Sequence, residues 1–199
     1  CTSIFIATTA FADDAALIIG NERYVTLDRL IGGAGIATAD LGLGAAGFKD
    51  AVNANATAAI AHAAATTFAT QAETADRLIV GLSGRFVTDG TRTWMLQTDA
   101  LDTALFATSD ALSLESLLMV LATQPGQSVL VLGVDTAEDK AFDRFLTEGV
   151  GDLDIPQGVT VIQTSPQTAP DILGQLTQQG ADLVEIANGN RRVSLSGYV

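Results

Sequence analysis

The chain is poor in the side chains that most hydrolases use. It has one histidine, His62, and one cysteine, Cys1, in 199 residues. A single cysteine excludes an intrachain disulfide, and the count says nothing about compartment. A Ser–His or Cys–His catalytic pair would have to be built on His62 or Cys1. A zinc site of the usual Cys/His kind is excluded by the same count. Basic residues are also scarce: 10 Lys and Arg stand against 23 Asp and Glu, a formal net charge of −13. Nucleic-acid phosphate and an anionic membrane surface would both repel such a chain. The acids are spread along the sequence and form no tail, so they read as a solvated surface, with a basic partner as the sharper alternative. No apolar run reaches the roughly 20 residues that span a bilayer. The nucleotide motifs are missing too. "GGAG" (Gly32–Gly35) has no Gly-Lys-Ser/Thr after it, and "GNERYV" follows the first strand where a dinucleotide fingerprint would need G-x-G-x-x-G. No cofactor is expected.

What the chain does have is apolar, small-residue-rich sequence. Hydrophobic residues make up 48%, enough for one well-filled core. Continuous apolar runs predict buried strands at Ala15–Asn21, Asp76–Ser83, Ser128–Val134 and Val159–Thr164, with a shorter one at Phe48–Asn53. Helical patterns lie between them. They are a weak one over Ala34–Ala46, an alanine-rich one over Asn55–Thr70 with Ile60, Ala64 and Phe68 on one face, and Leu112–Ala122 with Ser113 as N-cap. Two more cover Ala137–Leu146 and Pro170–Gln178. Asp89-Gly90 signals a hairpin. "DLVEIA" and "RRVSLSGYV" read as a second hairpin around Asn188–Asn190. Strands alternating with helices predict a mainly parallel α/β sheet covered by helices on both faces. Function in such sheets sits at the carboxyl ends of the strands: Gly20-Asn21, Ser83-Gly84-Arg85, Val134-Asp135-Thr136 and Thr164-Ser165.

The first residues raise a separate expectation. "SIFIATTAFADD" (Ser3–Asp14) is a short apolar stretch ending Ala10-Phe11-Ala12, the A-x-A pattern of a secretory cleavage site. Residues 1–12 are therefore expected to be a signal-peptide remnant or an extra N-terminal strand, and 13–199 a single domain. Export to a periplasmic or extracellular space follows from the first reading, with lipidation of Cys1 as a variant of it.

Two strand ends were tested for chemistry. "GLSGR" (Gly81–Arg85) is not a nucleophile elbow, since its second glycine comes one residue early and no histidine is at hand. "GVDTAED" (Gly133–Asp139) could hold Mg²⁺ on its carboxylates, or simply cap a helix through Asp135 or Thr136.

In order along the chain, five segments resemble the caspase-like family, the metacaspase, orthocaspase and bacterial peptidase C14 group. "ALIIGNERY" is similar to its first strand, ending Ile-Gly-Asn-x-x-Tyr. "AAGFKDAVNANAT" resembles its second strand and the helix start after it. "ADRLIVGLSGRFV" resembles the strand ending Tyr-Ser-Gly-His-Gly, and "WMLQTDA" the segment that follows. "SVLVLGVDTAEDKAF" resembles the strand ending Asp-x-Cys-Arg. The likeness runs over most of Ala15–Thr164, with the family's C-terminal region reduced. It implies a caspase-like three-layer sandwich. It also places Arg85 at the catalytic histidine, Asp135 at the nucleophilic cysteine, and Phe86, Gly133 and Thr136 at neighbours that have departed from the family pattern. Arginine is no base near neutral pH, and an aspartate would repel a developing oxyanion. The resemblance therefore implies an inactive pseudo-peptidase, exported, that binds a protein partner or assembles with itself. Alternatives are a hydrolase using acidic or metal chemistry at Asp135, Glu138 and Asp139, an N-terminal cysteine hydrolase using Cys1, or an active cysteine endopeptidase of this group. An Arg85–Asp135 ion pair, or a pair bridged by one water, is expected in place of the dyad.

Overall fold

The computed structural model of the protein describes residues 14–103, 107–135, 142–178, 185–186, 189 and 193–198. The expected signal remnant or extra strand at 1–12, together with Thr136, Glu138 and Asp139, lies outside them.

Six strands form the main sheet: β1 (Asp14–Gly20), β2 (Phe48–Ala54), β3 (Arg77–Ser83), β7 (Ser128–Gly133), β9 (Val159–Thr164) and β10 (Ser194–Gly197). Their order is β10-β9-β7-β3-β1-β2. All neighbours are parallel except β10, which runs antiparallel to β9. The three apolar runs at 15–20, 77–83 and 128–133 are thus adjacent central strands, as the sequence predicts. They are apolar on both faces because both faces are covered. Ala15, Leu17 and Ile19 of β1 pack with Ala61, Ala64 and Phe68 of α2 (Ala58–Ala72) and Leu114, Leu117 and Leu121 of α3 (Leu114–Leu121). Ala16 and Ile18 face the other way, against Ile36 of a 3₁₀ turn (Gly33–Ala39), Leu43 of α1 (Asp40–Ala45) and Ile172, Leu173 and Leu176 of α4 (Ala169–Leu176). The result is a three-layer sandwich.

A second, small antiparallel sheet stands at the carboxyl end of the first. It has the order β6-β5-β4-β8, from β4 (Phe86–Thr88), β5 (Thr93–Met95), β6 (Leu112–Ser113) and β8 (Thr147–Glu148). The β4–β5 hairpin turns where Asp89-Gly90 predicts it. Asp89 Oδ1 accepts the N–H groups of Thr91 and Arg92 at 2.8 and 2.7 Å, and Gly90 takes φ 87°.

Three local expectations are corrected. On α2 the buried face is Ala61, Ala64, Phe68 and Ala72, and Ile60 is turned out to solvent. The small alanines let the helix lie close to the sheet. The helix expected over Ala137–Leu146 is not continued at 142–146. There Asp143 Oδ1 accepts the N–H of Phe145 at 2.6 Å and of Leu146 at 3.0 Å, so a side chain takes donors a helix would need. The C-terminal hairpin is replaced by a longer-range pairing. Ser194–Gly197 joins the open edge of β9, while Glu185 and Ile186 are helical and Ile186 is buried in the core.

Candidate functional site

The carboxyl ends of β1, β3 and β7 meet under the small sheet. Asn21, the residue after β1, is fully buried and works as a three-way tie. Its Nδ2 donates to the Gln97 side chain at 2.9 Å and to the Leu96 carbonyl at 3.2 Å, and its Oδ1 accepts the Ala56 N–H at 2.9 Å. Asn55, at φ 54°, accepts the N–H groups of Glu22 and Arg23 through Oδ1. Together they pin the loop after β1 so that Tyr24 lies beneath the end of β3. The Tyr24 hydroxyl accepts the Arg85 backbone N–H at 2.8 Å. Burial pushes this hydroxyl well above its usual pKa, against the smaller opposing pull of Arg85.

Glycines let the backbones close up here. A Cβ on Gly33 would fall 2.1 Å from the Asn21 carbonyl oxygen, so the "GGAG" stretch that fails as a P-loop packs the 3₁₀ turn onto the end of β1. A Cβ on Gly84 would meet Met95 Cε at 2.7 Å and the Tyr24 hydroxyl at 3.0 Å.

Arg85 and Asp135 line one small cavity, about 30 Å³, with Leu30, Phe86, Phe142 and Glu148. The structure thus brings both strand-end positions to one place, but it does not pair them. The Arg85 guanidinium lies 3.5 Å from the Glu148 carboxylate, with both side chains about one-fifth exposed, and its Nε donates to the Asp28 carbonyl at 2.9 Å. Asp135 is exposed. The expected Arg85–Asp135 ion pair is replaced by Arg85–Glu148 for a topological reason. β4 pairs with β8 so that Val87 faces Glu148. Arg85 lies two residues before Val87 and so falls on the same side of the strand.

Two further residues singled out in the sequence, Phe86 and Gly133, are set by packing. Phe86 is buried in the core beneath α2 and α3, and its carbonyl accepts the Gly149 N–H at 2.9 Å. Gly133 has no room for a side chain: a Cβ there would meet Ser83 Oγ at 2.7 Å and Ala169 Cβ at 3.2 Å. By strand register Ser83 and Thr164 flank Gly133 on one face of the sheet. The hydroxyls of both are buried with no hydrogen-bond partner. His62 stands exposed on α2 and does not line the cavity. Among the described residues no group of three or more His, Cys, Asp or Glu is placed to hold a metal ion.

Sequence reasoning missed Glu148, Asp28 and Leu30. They come from loops and a two-residue strand with no pattern of their own. Tyr24 was legible only as part of a motif, and its role under Arg85 was not.

No family model matches the chain, and no curated protein matches it in sequence. Solved structures do. The Drosophila initiator caspase Dronc aligns with a TM-score of 0.58 over 92% of this chain and 79% of that chain, at 11% identity. The structure of pro-sf-caspase-1 aligns at 0.44 over 77% of this chain and 61% of that one, at 15% identity. At such identity the likeness to Dronc speaks for the architecture alone: the chain has a caspase-like fold.

Proposed function

We propose that this caspase-like domain does not hydrolyse peptides and acts by binding, to a protein partner or to further copies of itself. The observation that carries this reading is the content of the strand-end cavity. Among the described residues it offers a guanidinium, two carboxylates and apolar walls, with neither thiol nor imidazole in that lining. Acyl transfer through a thiolate needs a nucleophile and a proton carrier within hydrogen-bond reach.

The test is an assay of the purified chain against peptides with Asp, Arg or Lys before the scissile bond. No turnover is expected. Turnover that follows the protein peak would overturn the proposal, and its loss in Cys1→Ser would assign it to the N-terminal cysteine. Restoring Arg85→His with Asp135→Cys is expected to recover little activity, because Phe86 is packed in the core and Gly133 cannot accept an acidic side chain without displacing Ser83.

Export is proposed on the sequence of Ser3–Asp14 alone. N-terminal sequencing of the protein from envelope, medium and cytosolic fractions tests it: an uncleaved chain confined to the cytosol would refute it.

A further inference from the structure

α2 and α3 lie side by side on one face of the sheet, and their outer surface is unlike the rest of the molecule. The chain carries a net charge of −13, yet the fifteen residues of α2 include no Asp, Glu, Lys or Arg. Ile60, Ala63, Thr66, Thr67 and Thr70 are its exposed residues besides Ala59 and the one ionisable group, His62. On α3 the single charged residue, Glu115, is committed: its carboxylate accepts the Thr93 N–H at 2.7 Å and the Ser113 hydroxyl at 2.9 Å. Between the helices runs an open groove of about 690 Å³, walled by Ala69, Ala72, Met119 and Val120, with Glu73 as the one charged residue among the described residues that line it. Met119 stands on its rim, 73% exposed.

A knob and a hole therefore lie next to each other on one patch. That is the requirement for a two-fold contact, in which the same surface meets itself and each copy supplies what the other lacks. Charge points to the same occupant. Two chains of −13 repel each other at every acidic face, and the repulsion is small on this face, where the groove's described lining carries a single carboxylate, Glu73. We propose that α2 and α3 form a self-association surface, in which Met119 of each copy enters the groove beside Ala69 and Ala72 of the other.

The patch is small. Fifteen helical residues extend about 22 Å, and two helices side by side cover roughly 500 Å² per copy, below the ~800 Å² of a standard interface. The dimer is accordingly weak, and added salt strengthens it by screening. The inference takes the self-assembling branch of the function proposed above and gives it a surface. It does not depend on the state of the Arg85–Asp135 site, so its failure would leave the non-catalytic reading standing, and turnover in the peptide assay would leave the surface standing.

Sedimentation equilibrium of the full chain up to about millimolar concentration is expected to show monomer and dimer. Met119→Asp should weaken the dimer by about tenfold or more, as expected when a central anchor is replaced by a charge that faces Glu73 of the other copy, with the thermal unfolding midpoint unchanged. A second test does not depend on that variant. Ala69→Cys chains mixed with Met119→Cys chains, both in a Cys1→Ser background, should oxidise to a disulfide-linked pair of doubled mass. A chain that stays monomeric throughout, or a dimer indifferent to Met119→Asp that forms no such cross-link, overturns the proposal.

Discussion

At the scale of single residues, the two strand-end positions Arg85 and Asp135 are held by different forces than their charges suggest. Arg85 has a carboxylate partner at 3.5 Å with both groups partly exposed, a geometry that contributes about 0–1 kcal/mol. A double-mutant cycle on Arg85→Met and Glu148→Gln is expected to show coupling of that size. The same cycle on Arg85→Met and Asp135→Leu should be additive within about 0.5 kcal/mol. Tyr24 matters more. Its hydroxyl is the acceptor for the Arg85 backbone N–H, so Tyr24→Phe leaves that donor without its partner and should cost about 1–3 kcal/mol at neutral pH. Its pKa is raised in the folded state. The stability it contributes is therefore complete below the unfolded value of about 10 and is lost as pH rises toward the folded one. Alkaline titration of the folded protein should show a phenolate signal that appears together with unfolding, and Tyr24→Phe should flatten the alkaline loss of stability.

At the scale of elements, the β4–β5 hairpin and α3 each have a removable device. The Asp89 carboxylate is held below its usual pKa by the N–H groups of Arg92 and Thr91. Its contribution is present above the ordinary carboxylate value and lost as pH falls through the lowered folded value. The protection of the Arg92 amide, measured against the intrinsic exchange rate at each pH, should fall in acid, and in Asp89→Ala it should be low at all pH values. Gly90 sits at φ 87°, where a side chain is strained, so Gly90→Ala should destabilise by roughly 1–2 kcal/mol. Ser113 caps α3 by accepting the Ser116 N–H at 3.2 Å. Ser113→Ala is expected to cost about 1 kcal/mol in a denaturant melt.

Over the whole molecule, the decisive contacts are those that lock the layers. Phe68 is fully buried among the β1 and β3 side chains, and Phe68→Ala should cost about 3–5 kcal/mol. Gly33→Ala tests the other layer. The added methyl would lie 2.1 Å from a backbone oxygen that cannot swing aside. The 3₁₀ turn must then lift off β1, and we expect a loss of more than about 2 kcal/mol, with Tyr24 fluorescence changed in step. Equal stability of Gly33→Ala and the parent in urea would show that the turn is not docked as described.

Sequence alone determined the parts of this protein whose physics is local. Strands buried on both faces need continuous apolar runs, so β1, β3, β7 and β9 could be read directly, and alternation with helices made the sheet parallel. The Asp89-Gly90 turn and the Ser113 cap follow from side chains that bond their own neighbours. The expectation that Arg85, Phe86, Gly133, Asp135 and Thr136 stand at site positions rests on the resemblance of five ordered segments to one family. Tertiary structure decided what depends on register between distant segments. Glu148 reaches Arg85 only because β4 pairs with β8, Tyr24 reaches it only because Asn21 and Asn55 pin the intervening loop, and β10 joins β9 because that edge was open. None of these leaves a periodic signal, since each is a single polar contact made across more than sixty residues of chain or a backbone pairing set by the sheet itself.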